Sequence, residues 1–318
     1  MALAGLKVIE MAGLAPSPFC GMILSDFGAK VVRVTKANSG IDLDRLCRGK
    51  YSIAVDLKQP DGVAVVRRLC KTADVLIEPY RPGVMEKLSL GPNLLLEDNP
   101  RLIYTRLTGY GQNGPLCNKA GHDINYLAIS GVLSMLGRKH EKPTPPVNLL
   151  ADFAGGGLLA AFGIMMALVE RQTSGKGQVI DANMVEGAAY VSSFLWKSRD
   201  LFLWGKPRGE NMLDSGAHFY DTYKTRDGKY MAVGAIEPQF YQEFIEGLQL
   251  NNDDAPMNQH GDDQDEMKAL VAARFAERTQ EEWEEAFRSR DACVTPVIDH
   301  THAHLHPHNS FRESFVAT

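Results

Sequence analysis

The sequence holds five cysteines in 318 residues, Cys20, Cys47, Cys70, Cys117 and Cys293, an odd number with no CxxC spacing. A disulfide framework and a zinc knuckle are therefore unsupported, and a reducing compartment is expected. Blocks of basic residues are lacking too: 34 Lys and Arg stand against 39 Asp and Glu, for a net charge of −5 and a pI near 6.0. This leaves no electrostatic footprint for nucleic acid, so a polyanionic ligand would need a local basic pocket. The turn after the first apolar run, Ala12-Gly13-Leu14-Ala15-Pro16, lacks GxGxxG, and Thr173-Ser174-Gly175-Lys176-Gly177 lacks the spacing of a phosphate loop. A nicotinamide cofactor is disfavoured. Glu10 falls too early for a signal peptide's apolar core, and the apolar stretch 158–171 is too short and interrupted to span a bilayer, so no membrane partner is expected. No repeat of fixed period is visible.

What is present is an alternation. Apolar runs at 6–11, 30–34, 51–57, 75–78 and 102–107 read as strands, and 19–27 and 61–72 show helical spacing between them. This predicts an α/β fold: a large domain with a mostly parallel sheet flanked by helices. It continues through a core helix at 158–171, a strand at 178–182 and a helix at 185–196. Pro207, Gly209 and Gly216 mark a linker. The expected organisation is a large domain over 1–205, a linker over 206–217, a smaller α+β domain over 218–298 and a return segment over 299–318. In the small domain, strands at 219–224 and 229–234 flank the hairpin-like Arg226-Asp227-Gly228, and helices follow at 238–247, 265–275 and 280–288. The polar stretch 251–263 reads as a mobile loop.

Ligands of such sheets bind beyond the carboxyl ends of the strands. The loops there carry Arg33 with Lys36, Lys58, and Arg81 with Lys87, which could converge on one polyphosphate while the protein stays acidic. Two further stretches open helices: Gly121-His122-Asp123-Ile124-Asn125-Tyr126, and residues 148–157, which carry Asp152 followed by Gly155, Gly156 and Gly157. A titratable group at a helix start feels the positive end of the dipole and unpaired N–H groups. His122 suits a base near neutral pH and Asp152 its conjugate acid partner. The glycines allow two readings, close approach of a ligand or tight packing of a helix. His300, His302, His304, His306 and His308 would project on one side of an extended chain, but no carboxylate or cysteine spacing accompanies them and no metal is assigned.

Motifs along nearly the whole chain carry a resemblance. They include Gly13-Leu14-Ala15-Pro16, Ala54-Val55-Asp56-Leu57-Lys58, Glu78-Pro79-Tyr80-Arg81-Pro82-Gly83, Gly121 to Tyr126, residues 148–157, Asn211-Met212-Leu213-Asp214, Glu237-Pro238-Gln239-Phe240-Tyr241 and Asp291-Ala292-Cys293-Val294-Thr295-Pro296. On these the sequence resembles the α-methylacyl-CoA racemases of the family III CoA-transferase superfamily, the animal enzymes above all. The resemblance implies an interlocked homodimer. It implies His122 and Asp152 as two bases on opposite faces of the substrate α-carbon, with Glu237 from the other subunit orienting the histidine. It places CoA contacts at Lys36, at Val55, Asp56, Leu57 and Lys58, and at Gly121, His122, Asp123, Ile124, Asn125 and Tyr126; Arg33 and Arg81 are added from the strand-end pattern. Lys36 departs from the arginine usual in the animal enzymes, keeping the charge but losing the planar fork.

The implied reaction interconverts (R)- and (S)-2-methyl-branched acyl-CoA thioesters by two-base proton transfer through an enolate. CoA enters as part of the substrate, and no other cofactor is expected. Branched-chain fatty acid and bile acid intermediate metabolism in peroxisome and mitochondrion is the implied setting. Backbone N–H groups near Asp123 are the expected enolate donors, and Met184 and Met212 are candidates for the acyl surface. Two alternatives stay open. One is a CoA-transferase of the same superfamily with Asp152 as nucleophile. The other is an inactive acyl-CoA-binding form, since family members usually continue several dozen residues further and 299–318 would then be a truncated return segment.

Overall fold

The computed structural model describes residues 1–37, 44–250 and 258–316. Contacts divide it into two units: Met1–Met135 with Pro145–Trp196, and Leu136–Thr144 with Lys197–Thr318. The division therefore sits at Trp196–Lys197, ahead of the expected linker at 206–217, and 136–144 clusters with the second unit.

The first unit runs β1 (Lys7–Met11), α1 (Pro16–Asp26), β2 (Lys30–Lys36), β3 (Tyr51–Val55), α2 (Pro60–Cys70), β4 (Val75–Glu78), α3 (Val84–Lys87), α4 (Pro92–Asp98), β5 (Ile103–Thr108) and α5 (Asp123–Ser130). After a π-helical stretch at Leu149–Leu158 come α6 (Leu159–Ser174), β6 (Val179–Asn183), α7 (Met184–Val191) and α8 (Ser193–Lys197). Proline opens α1, α2 and α4, where its missing N–H costs nothing. The six strands order β3-β2-β1-β4-β5-β6 and every neighbouring pair is parallel, as the alternating pattern predicts.

Because successive strand residues point to opposite faces, the sheet builds two cores. Val8, Val75, Ile77 and Ile103 meet Leu24 of α1 and Ala160 and Ile164 of α6 on one face. Ile9, Leu76 and Tyr104 meet Val66 of α2, Met85 of α3 and Leu95 of α4 on the other. Burying each such side chain contributes roughly 1.5–3 kcal/mol.

Two sequence expectations are corrected here. The helix expected at 158–171 begins at Leu149, so Leu149–Ser174 is a continuous 26-residue helix, long and apolar enough to cross a membrane by length and composition. Of its most apolar window 44% is buried against the rest of the fold, and core helices meet the same length criterion. The helix start read at 148–157 and the helix read at 158–171 are thus one element, and Gly155, Gly156 and Gly157, as poor helix formers, hid that continuity. The helix expected at 185–196 is two, α7 and α8.

The second unit holds an antiparallel sheet of β7 (Tyr220–Lys224), β8 (Tyr230–Gly234) and β9 (Val294–Pro296), with α9 (Pro238–Gly247), α10 (Gln264–Phe275), α11 (Gln280–Phe287) and α12 (Pro307–Phe311). The hairpin and the three larger helices follow the pattern read from the sequence; β9, only three residues long, carried too little alternation to be seen. Phe219, Phe244, Phe275 and Trp283 are fully buried in its core. Of the polar loop expected at 251–263, residues 251–257 lie outside the described residues. The histidine run is not extended: it forms a 3-10 turn at Ala303–Leu305 and then α12. Among the described residues no three His, Cys, Asp or Glu are placed to share a metal ion.

Candidate active site

All six strands present their carboxyl ends to one edge of the sheet. There a cavity of about 390 Å³ is lined by the turns after β1 (Gly13, Leu14), β4 (Pro79, Tyr80, Arg81), β5 (Gly109, Tyr110) and β6 (Met184). It lies where the strand order reverses between β1 and β4, the usual ligand position in doubly wound sheets. His122 and Asp152 both line it, each from its own helix start.

His122 is the exposed N-cap of α5; its N–H donates to Asn125 Oδ1 at 3.1 Å, which fixes the turn. Tyr126, one turn on, donates its hydroxyl to the Gly121 carbonyl, and burial pushes that phenol up to about 12, so it stays protonated. Asp152 is half-buried in the first turn of the Leu149–Leu158 helix, with Asn148 Nδ2 donating to its Oδ2 at 3.3 Å. Burial raises the Asp152 carboxyl above its ordinary value and the neighbouring Asp123 charge adds to the rise, while Asn148 and His122 oppose it. A carboxyl so placed holds its proton more readily than a free one, which suits an acid partner to a histidine base.

The two helix starts are tied together by Asp123. Its Oδ2 accepts the N–H of Ala151 at 2.7 Å and of Asp152 at 2.8 Å, and the residue is 3% exposed. The three glycines after Asp152 take the packing reading, not the ligand one. A Cβ at Gly155 would stand 2.5 Å from the backbone N of Ala188 in α7, and one at Gly157 would stand 2.6 Å from the Pro16 carbonyl of α1. They admit neighbouring helices.

The loop bearing Tyr80 and Arg81 is held from below. Glu78, fully buried at the end of β4, accepts the Tyr80 N–H at 2.8 Å and Arg106 Nε at 2.8 Å; Arg106 also pairs with Glu86 at 2.7 Å. Burial pushes the Glu78 carboxyl up to about 7 against the pull of these donors.

The expected CoA contacts separate into groups. Gly121, His122, Tyr126 and Arg81 line the cavity. Lys36 ends β2 and is exposed, Val55 ends β3 with its side chain buried, and Asp56, Leu57 and Lys58 follow it with the Lys58 N–H on Asp56 Oδ1 at 3.0 Å. These lie at the same sheet edge, on the strands to the β3 side. Ile124 and Asn125 sit exposed on the first turn of α5, and Asp123 points inward. Arg33 does not reach this edge as a free cation: its side chain is buried, 3.8 Å from Glu10 and 3.2 Å from Asp44. It is the register partner of Glu10 across the β1–β2 pair, and its charge serves the sheet interior. Glu237 belongs to the second unit, exposed as the N-cap of α9. Met212 lies in that unit as well, lining a separate cavity of about 430 Å³.

Sequence reading missed Tyr80, Tyr110, Cys117 and Lys119, which line the cavity. Tyr80 adjoins Arg81 and Lys119 precedes Gly121 by two positions, so proximity to a named motif was the available signal. His218 was also missed. It is fully buried between Gln264 Oε1 at 2.7 Å and the Tyr241 hydroxyl at 2.8 Å, and burial holds its pKa below the ordinary value, as for a neutral core histidine.

The chain is 61% identical over 318 residues to the alpha-methylacyl-CoA racemase of Homo sapiens, covering all of this chain and 83% of that protein. It is 58% identical over 316 residues to the Mus musculus alpha-methylacyl-CoA racemase, covering 99% of this chain and 83% of that protein. A crystal structure of a CAIB/BAIF family protein from Brucella suis superposes with a TM-score of 0.82 at 25% identity, over 98% of this chain and 87% of that one. The model of CoA-transferase family III matches residues 3–318, so a sheet edge bearing His122 and Asp152 on paired helix starts is set in a chain that belongs to CoA-transferase family III.

Proposed function

We propose that the protein interconverts (R)- and (S)-2-methyl-branched acyl-CoA thioesters. The observation that carries this reading is His122 and Asp152 on one cavity from two separate helix starts, in a chain 61% identical to a racemase. A thioester carbonyl acidifies the neighbouring C–H. One base removes that proton, the electron pair moves into an enolate, and the acid on the opposite face returns a proton, inverting the centre. His122 serves as base for one enantiomer and Asp152 for the other, with its raised pKa supporting the protonated role in between. The N–H groups of Asp123 and Ile124, first in α5, have no intrahelical acceptor and are the proposed enolate donors. The thioester supplies the acidity, so the step needs no cofactor beyond the CoA of the substrate.

Lys36, Val55 to Lys58 and Arg81 are assigned to CoA. A homodimer belongs to the same reading, with the partner subunit's Glu237 orienting His122. An exposed apolar stripe on the 26-residue helix supports a protein partner: Leu158, Phe162, Met166 and Val169 recur at helical spacing and are each at least half exposed. Sedimentation at working concentration tests the dimer. Action on branched-chain fatty acid and bile acid intermediates, in peroxisome and mitochondrion, is proposed on the resemblance and is tested by cell fractionation.

The deciding experiment is deuterium incorporation at the α-carbon of (R)- and (S)-2-methylacyl-CoA in D2O, with His122→Ala and Asp152→Ala alongside. Exchange from both enantiomers, lost from one in each variant, is expected. Acyl transfer to a free carboxylate without α-exchange would move the assignment to a transferase with Asp152 as nucleophile, and CoA-ester binding without exchange to a binding form.

A further inference from the structure

Asp123, 3% exposed, is buried beside the cavity, and the two-base mechanism leaves its side chain without a chemical step. Its Oδ2 accepts two backbone N–H groups 28 and 29 positions away, at Ala151 and Asp152. Its Oδ1 is buried and has no hydrogen-bond partner among the described residues. A buried unpaired carboxylate oxygen is unfavourable, so an Asp held this way is an expensive cap; a neutral acceptor would close the same helix start without it. The arrangement does have one effect that a cap elsewhere would lack. Asp123 is bonded covalently to His122 and by a charge-assisted hydrogen bond to the backbone of Asp152. A single side chain thus links the backbones of the two bases.

We propose that Asp123 is a positioning residue whose carboxylate sets the spacing of Asp152 relative to His122 and places a negative charge beside Asp152. This rests on the racemase reading above. Two-base transfer needs both groups aligned with one α-carbon at once, and a displacement on the order of 1 Å at one base can lower the rate roughly 100-fold. Besides burial, the groups that bear on the Asp152 proton are the Asp123 carboxylate, His122 and the Tyr126 phenol from α5, and Asn148 at the start of its own helix. Asp123 is the anion among them.

The test compares Asp123→Asn and Asp123→Ala with the wild-type protein in the D2O exchange assay, each enantiomer separately, across pH. Asp152→Ala identifies the enantiomer whose proton Asp152 removes. Asp123→Asn keeps an acceptor oxygen and removes the charge. It should retain kcat within roughly tenfold while the acid limb of exchange from the Asp152-dependent enantiomer moves to lower pH. Asp123→Ala should lower kcat roughly 100-fold with KM for the CoA ester within about twofold, and the Asp152-dependent enantiomer should lose more. An unmoved acid limb in Asp123→Asn, or equal loss from both enantiomers accompanied only by a lower melting temperature, would overturn the positioning role. Absence of exchange in the wild-type protein would instead fail the racemase reading, so the two failures are separable.

Discussion

Lys50 Nζ donates to Glu10 Oε2 at 2.7 Å with both side chains almost wholly buried, 1% and 0% exposed. The lysine also donates to the Pro18 carbonyl at 2.8 Å, so the segment before β3 is pinned to both β1 and α1. Burial pushes the Glu10 carboxyl up from 4.5 to about 7, against the pull of Lys50 and Arg33. Between those two pH values the folded chain binds a proton at Glu10 that the unfolded chain does not. Stability from this site is therefore full below about 4.5 and declines as pH rises through 7.

Removing the lysine should expose that dependence. Lys50→Met leaves Glu10 buried with less compensation, at a cost of about 3–5 kcal/mol at pH 8. At pH 5.5 the carboxyl can take up a proton, so the loss should be smaller. Urea unfolding at both pH values checks this, and an equal loss at each would contradict it.

Close helix packing behind Asp152 makes a second prediction. A Cβ at Gly187 would stand 1.8 Å from the Gly155 carbonyl oxygen, whereas one at Gly163 would meet only Ile180 at 3.7 Å. Gly187→Ala should destabilise by about 1–3 kcal/mol or more through overpacking, and should lower kcat because the Asp152 helix must shift. Gly163→Ala should be neutral or stabilising by up to about 1 kcal/mol. Paired thermal melts and turnover measurements distinguish the two.

Charge at the strand ends should affect binding more than chemistry. Arg81→Ala and Lys58→Ala are each expected to raise KM for the CoA ester roughly tenfold with kcat nearly unchanged, the pattern of uniform binding. The difference from wild type should shrink as salt rises from 0.05 M to about 0.5 M. A kcat loss at constant KM would place these residues in the reaction instead.

Glu78 offers a separate handle on the same loop. Glu78→Gln keeps an acceptor for the Tyr80 N–H but removes the anion beside Arg106, which retains Glu86. A stability loss of about 1–3 kcal/mol is expected, with KM raised more than kcat is lowered. Chemical denaturation and steady-state kinetics measure both, and an unchanged KM would separate this pair from the cavity.

Much of this architecture was legible in the sequence. The parallel sheet followed from apolar runs alternating with helical spacing, because a strand covered on both faces must be apolar at nearly every position. Val8 and Ile9, or Leu76 and Ile77, are adjacent in sequence yet fill opposite cores. His122 and Asp152 were legible because helix starts have local signatures. Arg33 was misjudged: a cation at a strand position looks the same in sequence whether it faces ligand or a buried carboxylate. Its neighbours Glu10 and Asp44 are brought close by strand pairing and a loop, which composition does not record.

The sequence by itself determined the fold class, the family and the two titratable residues offered to the cavity, since each depends on local pattern or on motifs read in order. The tertiary structure decided which charges are buried and which reach the cavity, that Gly155 and Gly157 admit helices and not ligand, and that Asp123 grips the backbone of Asp152. Those outcomes depend on contacts between segments dozens of residues apart, and a hydrogen bond of 2.8 Å across 29 positions exists only once the sheet has set both helix starts in place.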